Sequence, residues 1–144
     1  MSLVALALTA QLECLALNAY FEARNQSYSG QMAVSHVVLN RVDDPRFPNN
    51  ICDVVKQAQT DSNGNPLRHR CQFSWYCDGL SDTPKNRAAW DHAMLVAQEA
   101  VYLHQNGFDL TLGADHYHAK NVSPHWAPHM DYLMQIDDHL FYRD

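Results

Sequence analysis

The chain reads as mainly α, of the α+β class, with a small β-hairpin or short strands confined to its C-terminal third. Three observations lead there. Apolar residues recur at helical spacing between Leu8 and Val42 and again between Thr83 and Gln105. Turn-forming and proline-containing stretches separate these segments. Strict alternation appears only late, in GADHYHA from Gly113 to Ala119. A length of 144 residues fits one domain spanning 1–144, large enough for a core without staples. Its hydrophobic share of 47% and charged share of 18% are ordinary for a soluble globular protein.

The first helix is TAQLECLALNAYFEAR, Thr9 to Arg24. Leu8, Leu12, Leu15 and Ala19 share one face, and the next position on that stripe is Glu22. Desolvation at the end of a core-facing stripe favours the neutral carboxyl, the form a general acid needs near neutral pH. The alternative is a helix that frays at Tyr20, leaving Glu22 paired with Arg24 or in solvent, the commoner fate of a glutamate. Residues 1–8 extend this helix at its N-terminus or pack on it as a tail. Leu3 to Leu8 lacks a basic flank and a small-x-small cleavage site, so it does not read as a signal peptide. No apolar run reaches membrane-spanning length.

Asn25 to Gly30 is turn chemistry, with Ser27 or Ser29 available as an N-cap. The second helix, about Gly30 to Val42, is apolar around most of its circumference and should be the buried central helix. Its polar residues His36, Asn40 and Arg41 need partners. Two prolines in Asp43 to Asn50 end it, and a short helix from about Ile51 to Gln59 follows. Asp61 to Pro66 has the look of a calcium loop. It fails at position six, Pro66, and position twelve, Gln72, so a surface turn is expected. Residues 67 to 81 gather aromatics without helical periodicity. Phe73, Trp75 and Tyr76 form either a core patch or a platform for sugar rings, with Gln72 and Ser74 as hydrogen-bonding neighbours. A long helix then has Asp82 or Thr83 as N-cap, Pro84 in its first turn, and Asn106-Gly107 as its stop. Its inward stripe is Trp90, Met94, Ala97 and Val101. Asn121 to Trp126 reads as a loop, and IDDHLFYR, ending at Arg143, as a last strand or extended segment.

A net charge of -6 argues against nucleic-acid binding, which needs clustered cations. Of the four cysteines, Cys14 reads as a buried small hydrophobe. Cys71 and Cys77 flank QFSWY and are placed to bridge a short loop, with Cys52 unpaired or partnering one of them. No C-x-x-C occurs, so they are not zinc ligands by spacing.

At Glu22-Ala23-Arg24, Gly30-Gln31, Ala33-Val34, Val38-Leu39-Asn40-Arg41-Val42, Pro45, Phe47-Pro48-Asn49 and Ile51 the chain resembles the SleB/CwlJ cell-wall hydrolases. Gln72-Phe73-Ser74-Trp75, ADHYHAKNVSPHWA from Ala114 to Ala127, and His139-Leu140-Phe141-Tyr142 continue the match in order, more on the CwlJ side. The resemblance implies a peptidoglycan-degrading domain with a lysozyme- or transglycosylase-like fold, and Glu22 as its catalytic acid. It implies peptidoglycan glycan strands as partner, no cofactor, no membrane insertion, and action as a monomer on the wall side of the membrane. Two departures stand out. Asn25-Gln26 replaces the family's frequent Gly-Glu, and Asp137 or Asp138 replaces a glycine common before the last histidine motif.

Glycosidases ordinarily flank the scissile bond with two acids. Asp78, Asp82 and Asp115 are the candidate seconds, and none lies in a buried pattern. A lytic transglycosylase needs only one acid, which makes that reaction the expectation, with a lysozyme-type muramidase as its alternative. Gln72, Ser74 and Tyr117 are expected to orient the sugar over a floor of Phe73 and Trp75, with His118, Asn121 and Trp126 as further contacts. A competing reading uses three of His116, His118, His125, His129 and His139 to hold a zinc for amidase or peptidase chemistry. No H-E-x-x-H supports it. A third class is a wall-binding module that does not cut. Without a leader or an anchor the chain reads as a stand-alone lysin of the phage-endolysin kind, or as a trimmed bacterial enzyme.

Overall fold

The computed structural model describes residues 3–144, with side chains from Ala7 onward. Met1 and Ser2 of the expected N-terminal extension lie outside the described residues. The order is α1 (Leu3–Ala23), α2 (Tyr28–Asp43), α3 (Ile51–Val55), β1 (Ala58–Thr60), β2 (Pro66–Cys71), α4 (Arg87–Gln105), β3 (His116–Ala119), β4 (Asp131–Ile136) and β5 (His139–Arg143). Single 3₁₀ turns occupy Ser74–Cys77 and Ala127–His129. None of the described helices is long and apolar enough to cross a membrane.

Helix α2 is central because every residue from Gly30 to Leu39 is buried. Ser27 caps it by accepting from the Gly30 N–H. One flank meets α1, α3 and α4 around Leu15, Ala19, Met32, Val38, Val54 and Val96, all at most 2% exposed. The other carries Ala33, Val34 and Val37 against Phe141 of the three-stranded antiparallel sheet, ordered β3-β5-β4. The polar residues of α2 find their partners. Asn40 donates to Asp109 and to the Ala114 carbonyl, and His36 Nδ1 accepts from the Leu110 N–H at 3.0 Å. Arg41 Nε donates to the Asp115 carbonyl at 2.7 Å while its guanidinium lies over the Phe47 and Phe73 rings.

Several expectations shift. The α1 stripe buries Leu15 and Ala19, but Leu8 is 57% exposed. The first turns run past α3, whose Cys52 N–H is received by Gln11. Helix α3 stops at Val55, because the chain turns into the β1–β2 hairpin around the Asp61–Asn65 turn. The N-cap of α4 is Asn86, not Asp82 or Thr83; its side chain accepts from the Ala89 N–H. The residues before it are strapped to α1 by the buried Tyr20 hydroxyl, which accepts the N–H groups of Lys85 and Asn86. Strand β4 precedes the expected last strand and pairs with it. Cys14 is bonded to Cys52, tying α1 to α3, and Cys71 to Cys77. Both cysteine pairs are thus oxidised, including the one read as a buried hydrophobe.

A bridge across 38 residues constrains the unfolded chain. Replacing both Cys14 and Cys52 by serine should lower stability by about 2–4 kcal/mol, read from urea midpoints; an unchanged midpoint contradicts the pairing.

Candidate active site

Glu22 sits in the last turn of α1, where that helix passes under β3 and the end of β5. It is half-buried and lines two adjoining depressions. The first, of about 230 Å³, is aromatic and includes Phe73, Tyr117, His118, Trp126 and His139. The second, of about 340 Å³, is polar: Asn25, Gln26, Lys120, Asn121 and Asp138 join Glu22 and His139 there. Together they make one groove with the carboxyl at its middle.

Burial pushes the Glu22 carboxyl up to about 7. The Tyr117 hydroxyl beside it pulls the other way and is the lesser influence. That hydroxyl is fully buried between Glu22 and Asn18, and Arg41 Nη1 and His139 Nδ1 lie buried in the groove wall without a hydrogen-bond partner among the described residues. Asn18, one turn before Glu22, supports this wall from below; its Oδ1 receives the Trp75 indole N–H at 2.9 Å.

The residues expected at the site divide accordingly. Gln72, Phe73, Ser74, Tyr117, His118 and Trp126 line the aromatic arm with Glu22, and Asn121 lines the polar arm. Trp75 lines neither. It is 6% exposed and stacked on Phe21 at 5.1 Å, which makes it core. Along β3, Tyr117 faces the helices beside Phe141 while His116 and His118 turn to the other face beside Trp126, and all three reach the aromatic arm. Arg41, His139, Gln26 and Asp138 entered the groove without being expected as sugar-side contacts. Only Arg41 carried a usable signal, a charged residue inside an apolar helix.

Among the described residues no three His, Cys, Asp or Glu side chains converge to hold a metal. His118 spends both nitrogens, on the Ala119 carbonyl and the Tyr142 hydroxyl, each at 2.8 Å. His116 pairs with Asp115 at 2.9 Å, and His125 and His129 are exposed. Asp78, Asp82 and Asp115 do not line the groove. Asp115 is buried but committed to His116, Arg46 and the Asp144 N–H. Asp138 is the other carboxylate of the groove among the described residues. Lys120 at 2.9 Å and Gln26 hold it below the usual carboxylate range.

The two departures from the family pattern meet at this point. Gln26 donates to Asp138 Oδ2 at 3.1 Å and accepts the Asp138 N–H at 3.0 Å. Asp137 adopts φ +48, a conformation that glycine or a short polar residue tolerates, and receives the Ser27 N–H and hydroxyl. Gly30 leaves room for this carboxylate, because a Cβ there would sit 2.5 Å from Asp137 Oδ2.

The family model for Cell Wall Hydrolase matches residues 25–142. The spore cortex-lytic enzyme of Halalkalibacterium halodurans is 30% identical over 132 residues, covering 90% of this chain and 34% of that protein. That of Bacillus subtilis is 29% identical over 131 residues, covering 90% and 36%. The chain thus spans about a third of these relatives' length. Among solved structures, the catalytic domain of the germination-specific lytic transglycosylase SleB from Bacillus anthracis superposes with a TM-score of 0.70 at 25% identity. It covers 92% of this chain and 93% of that one. The catalytic domain of the Bacillus cereus SleB protein gives 0.66 at 25% identity, with 92% and 89% covered.

Two outcomes follow from the site's electrostatics. Unfolded, Glu22 ionises near 4.5; folded, near 7. Its contribution to stability is therefore full below about pH 4.5 and is lost as pH rises towards 7, by at most roughly 3 kcal/mol. Glu22→Gln should match the parent's thermal midpoint at pH 4 and exceed it at pH 8; equal midpoints at both would mean an ordinary, solvated carboxylate. Gln26→Glu should place a second carboxylate against Asp138 and lower stability at pH 7 by about 1 kcal/mol, with recovery on acidification. Thermal melts across pH would show it, and a pH-independent loss would point to packing instead.

Proposed function

The chain belongs to the cell wall hydrolase family, and from that premise we propose that it cleaves the MurNAc–GlcNAc link of peptidoglycan as a lytic transglycosylase, with Glu22 as the single acid and base. The observation that carries this is the position of Glu22. A carboxyl kept neutral up to about 7 stands where two arms of one groove meet, so a glycan laid along it presents a glycosidic oxygen to that proton.

In the first half of the reaction the Glu22 carboxyl protonates the oxygen leaving muramic acid C1, and the C1–O bond breaks. In the second, the carboxylate takes the proton of the same sugar's 6-hydroxyl as that oxygen bonds to C1. An anhydro ring closes and Glu22 regains its starting form. No water is consumed, and no second carboxylate is needed. Trp126 offers a ring face to the sugars, while Gln72, Ser74 and Asn121 offer polar contacts.

Hydrolysis by a muramidase route would draw on Asp138 to activate water. Its bonds to Lys120 and Gln26 occupy the carboxylate that would have to act as base. The substrate strands lie outside the cytoplasm, and we place the action of this chain there, as a monomer, without metal or cofactor. Two disulfides suit an oxidising space.

Mass spectrometry of muropeptides after digestion of purified walls tests this reading. The parent chain should release anhydro-muramyl ends, and Glu22→Gln should be slower by about 10²–10⁴-fold. Release of reducing ends alone would transfer the assignment to a muramidase. Activity lost in chelator but retained by Glu22→Gln would transfer it to a metal-dependent amidase. Because the acid must start protonated, turnover should decline as pH rises through about 7.

A further inference from the structure

The aromatic arm of the groove does not stop at Gln72. The same residue lines a further trough of about 420 Å³ together with Gln57, Ala58, Gln59, Arg70 and Cys71, along the edge of the β1–β2 hairpin. This trough has its own chemistry. Arg70 is exposed, and neither it nor Arg68 has an ion-pair partner among the described residues. Gln57 Oε1 is buried without a hydrogen bond, although the Gln57 carbonyl is satisfied by the Gln72 N–H at 2.8 Å. The trough thus presents an unpaired cation, with the unpaired Gln57 amide oxygen buried in its wall.

The backbone sets this up. His69, between the two arginines, has φ +61, which costs a non-glycine residue and breaks the alternation of β2. Arg68 is turned against Gly79, where a Cβ would lie 2.9 Å from its Nη2, while Arg70 faces the trough. The segment 56–71 carries Lys56, Arg68 and Arg70 against Asp61 alone, in a chain whose net charge is -6. The Cys71–Cys77 bridge fastens the loop between trough and aromatic arm, so the two keep a fixed relation.

We propose that this trough binds the carboxylate-bearing peptide attached to the glycan, Arg70 taking the carboxylate. The assignment rests on the glycan reading of the Glu22 groove, since Gln72 is where a strand lying there would hand its side branch to the hairpin. A sugar hydroxyl accepts from Arg70 without neutralising it, whereas a peptide carboxylate neutralises it and adds paired charge-assisted bonds.

The test is calorimetric titration of the full chain carrying Glu22→Gln with short, phosphate-free glycan oligomers, with and without the attached peptide. The peptide-bearing oligomer should bind about tenfold tighter, the worth of one charge-assisted contact. Adding Arg70→Gln, or amidating the peptide carboxylates, should bring that ratio towards one. Equal affinity for both oligomers overturns the proposal, and so does a preference that Arg70→Gln leaves intact. A glycerol-phosphate polymer that binds through Arg70 while the oligomers show no preference overturns it in favour of a wall phosphate ligand. Digestion by the parent chain separates the two readings. Cutting of peptide-free glycan with a ratio of one removes only the trough assignment, whereas absence of any glycan fragment removes the reaction itself.

Discussion

A carboxyl group held out of water at the surface of a protein survives only if its surroundings exclude solvent without supplying a cation. Glu22 meets that condition. Tyr117 covers it from β3, and the two cations of the groove are held elsewhere, Arg41 by its bond to the Asp115 carbonyl and its seat on Phe47 and Phe73, Lys120 by Asp138. Desolvation is therefore the largest influence on its proton, and the fold around it can be read as the means of keeping it so. The buried α2 joins the two halves of the core, and through that helix the end of α1 and the first sheet strand keep their spacing.

The polar arm shows how a local departure is absorbed. A glutamate at position 26 would stand against Asp138, two carboxylates sharing one corner beside Glu22. The amide of Gln26 instead donates to one oxygen of Asp138 and accepts its N–H. Asp137, in turn, uses its carboxylate to hold Ser27 at the start of α2, in space that Gly30 leaves open. Two substitutions that look like losses in the sequence are one interlocked corner in the fold. It ties the β4–β5 turn to the loop that follows Glu22.

What could be read from the sequence follows the range over which each signal acts. Helical periodicity is local, so α1, α2 and α4 were legible, as was the break in the apolar stripe at Glu22. The α4 cap was misplaced by a few residues, because a tertiary contact from Tyr20, invisible locally, decides where that helix begins. Strands β1, β2 and β4 are short and largely exposed, and their patterns lack the alternation that marks GADHYHA. Phe73 and Trp75 could not be told from exposed groove rings by composition, since only packing, on Arg41 and Tyr117 for the one and on Phe21 and Asn18 for the other, buries both in the core. Cys14 looked like any small apolar residue of a helix. Its bond to Cys52 depends on how α3 crosses α1.

The account turns on the ionisation of one side chain, and that can be observed directly. Carbon-13 NMR of glutamate-labelled protein, with Glu22→Gln used to assign the resonance, would follow the Glu22 carboxyl through a pH titration. A midpoint near 7 is the expected result. A midpoint at the 4.5 of a free glutamate would mean that the carboxyl is solvated and charged at neutral pH, and Glu22 could not then be the acid of this groove.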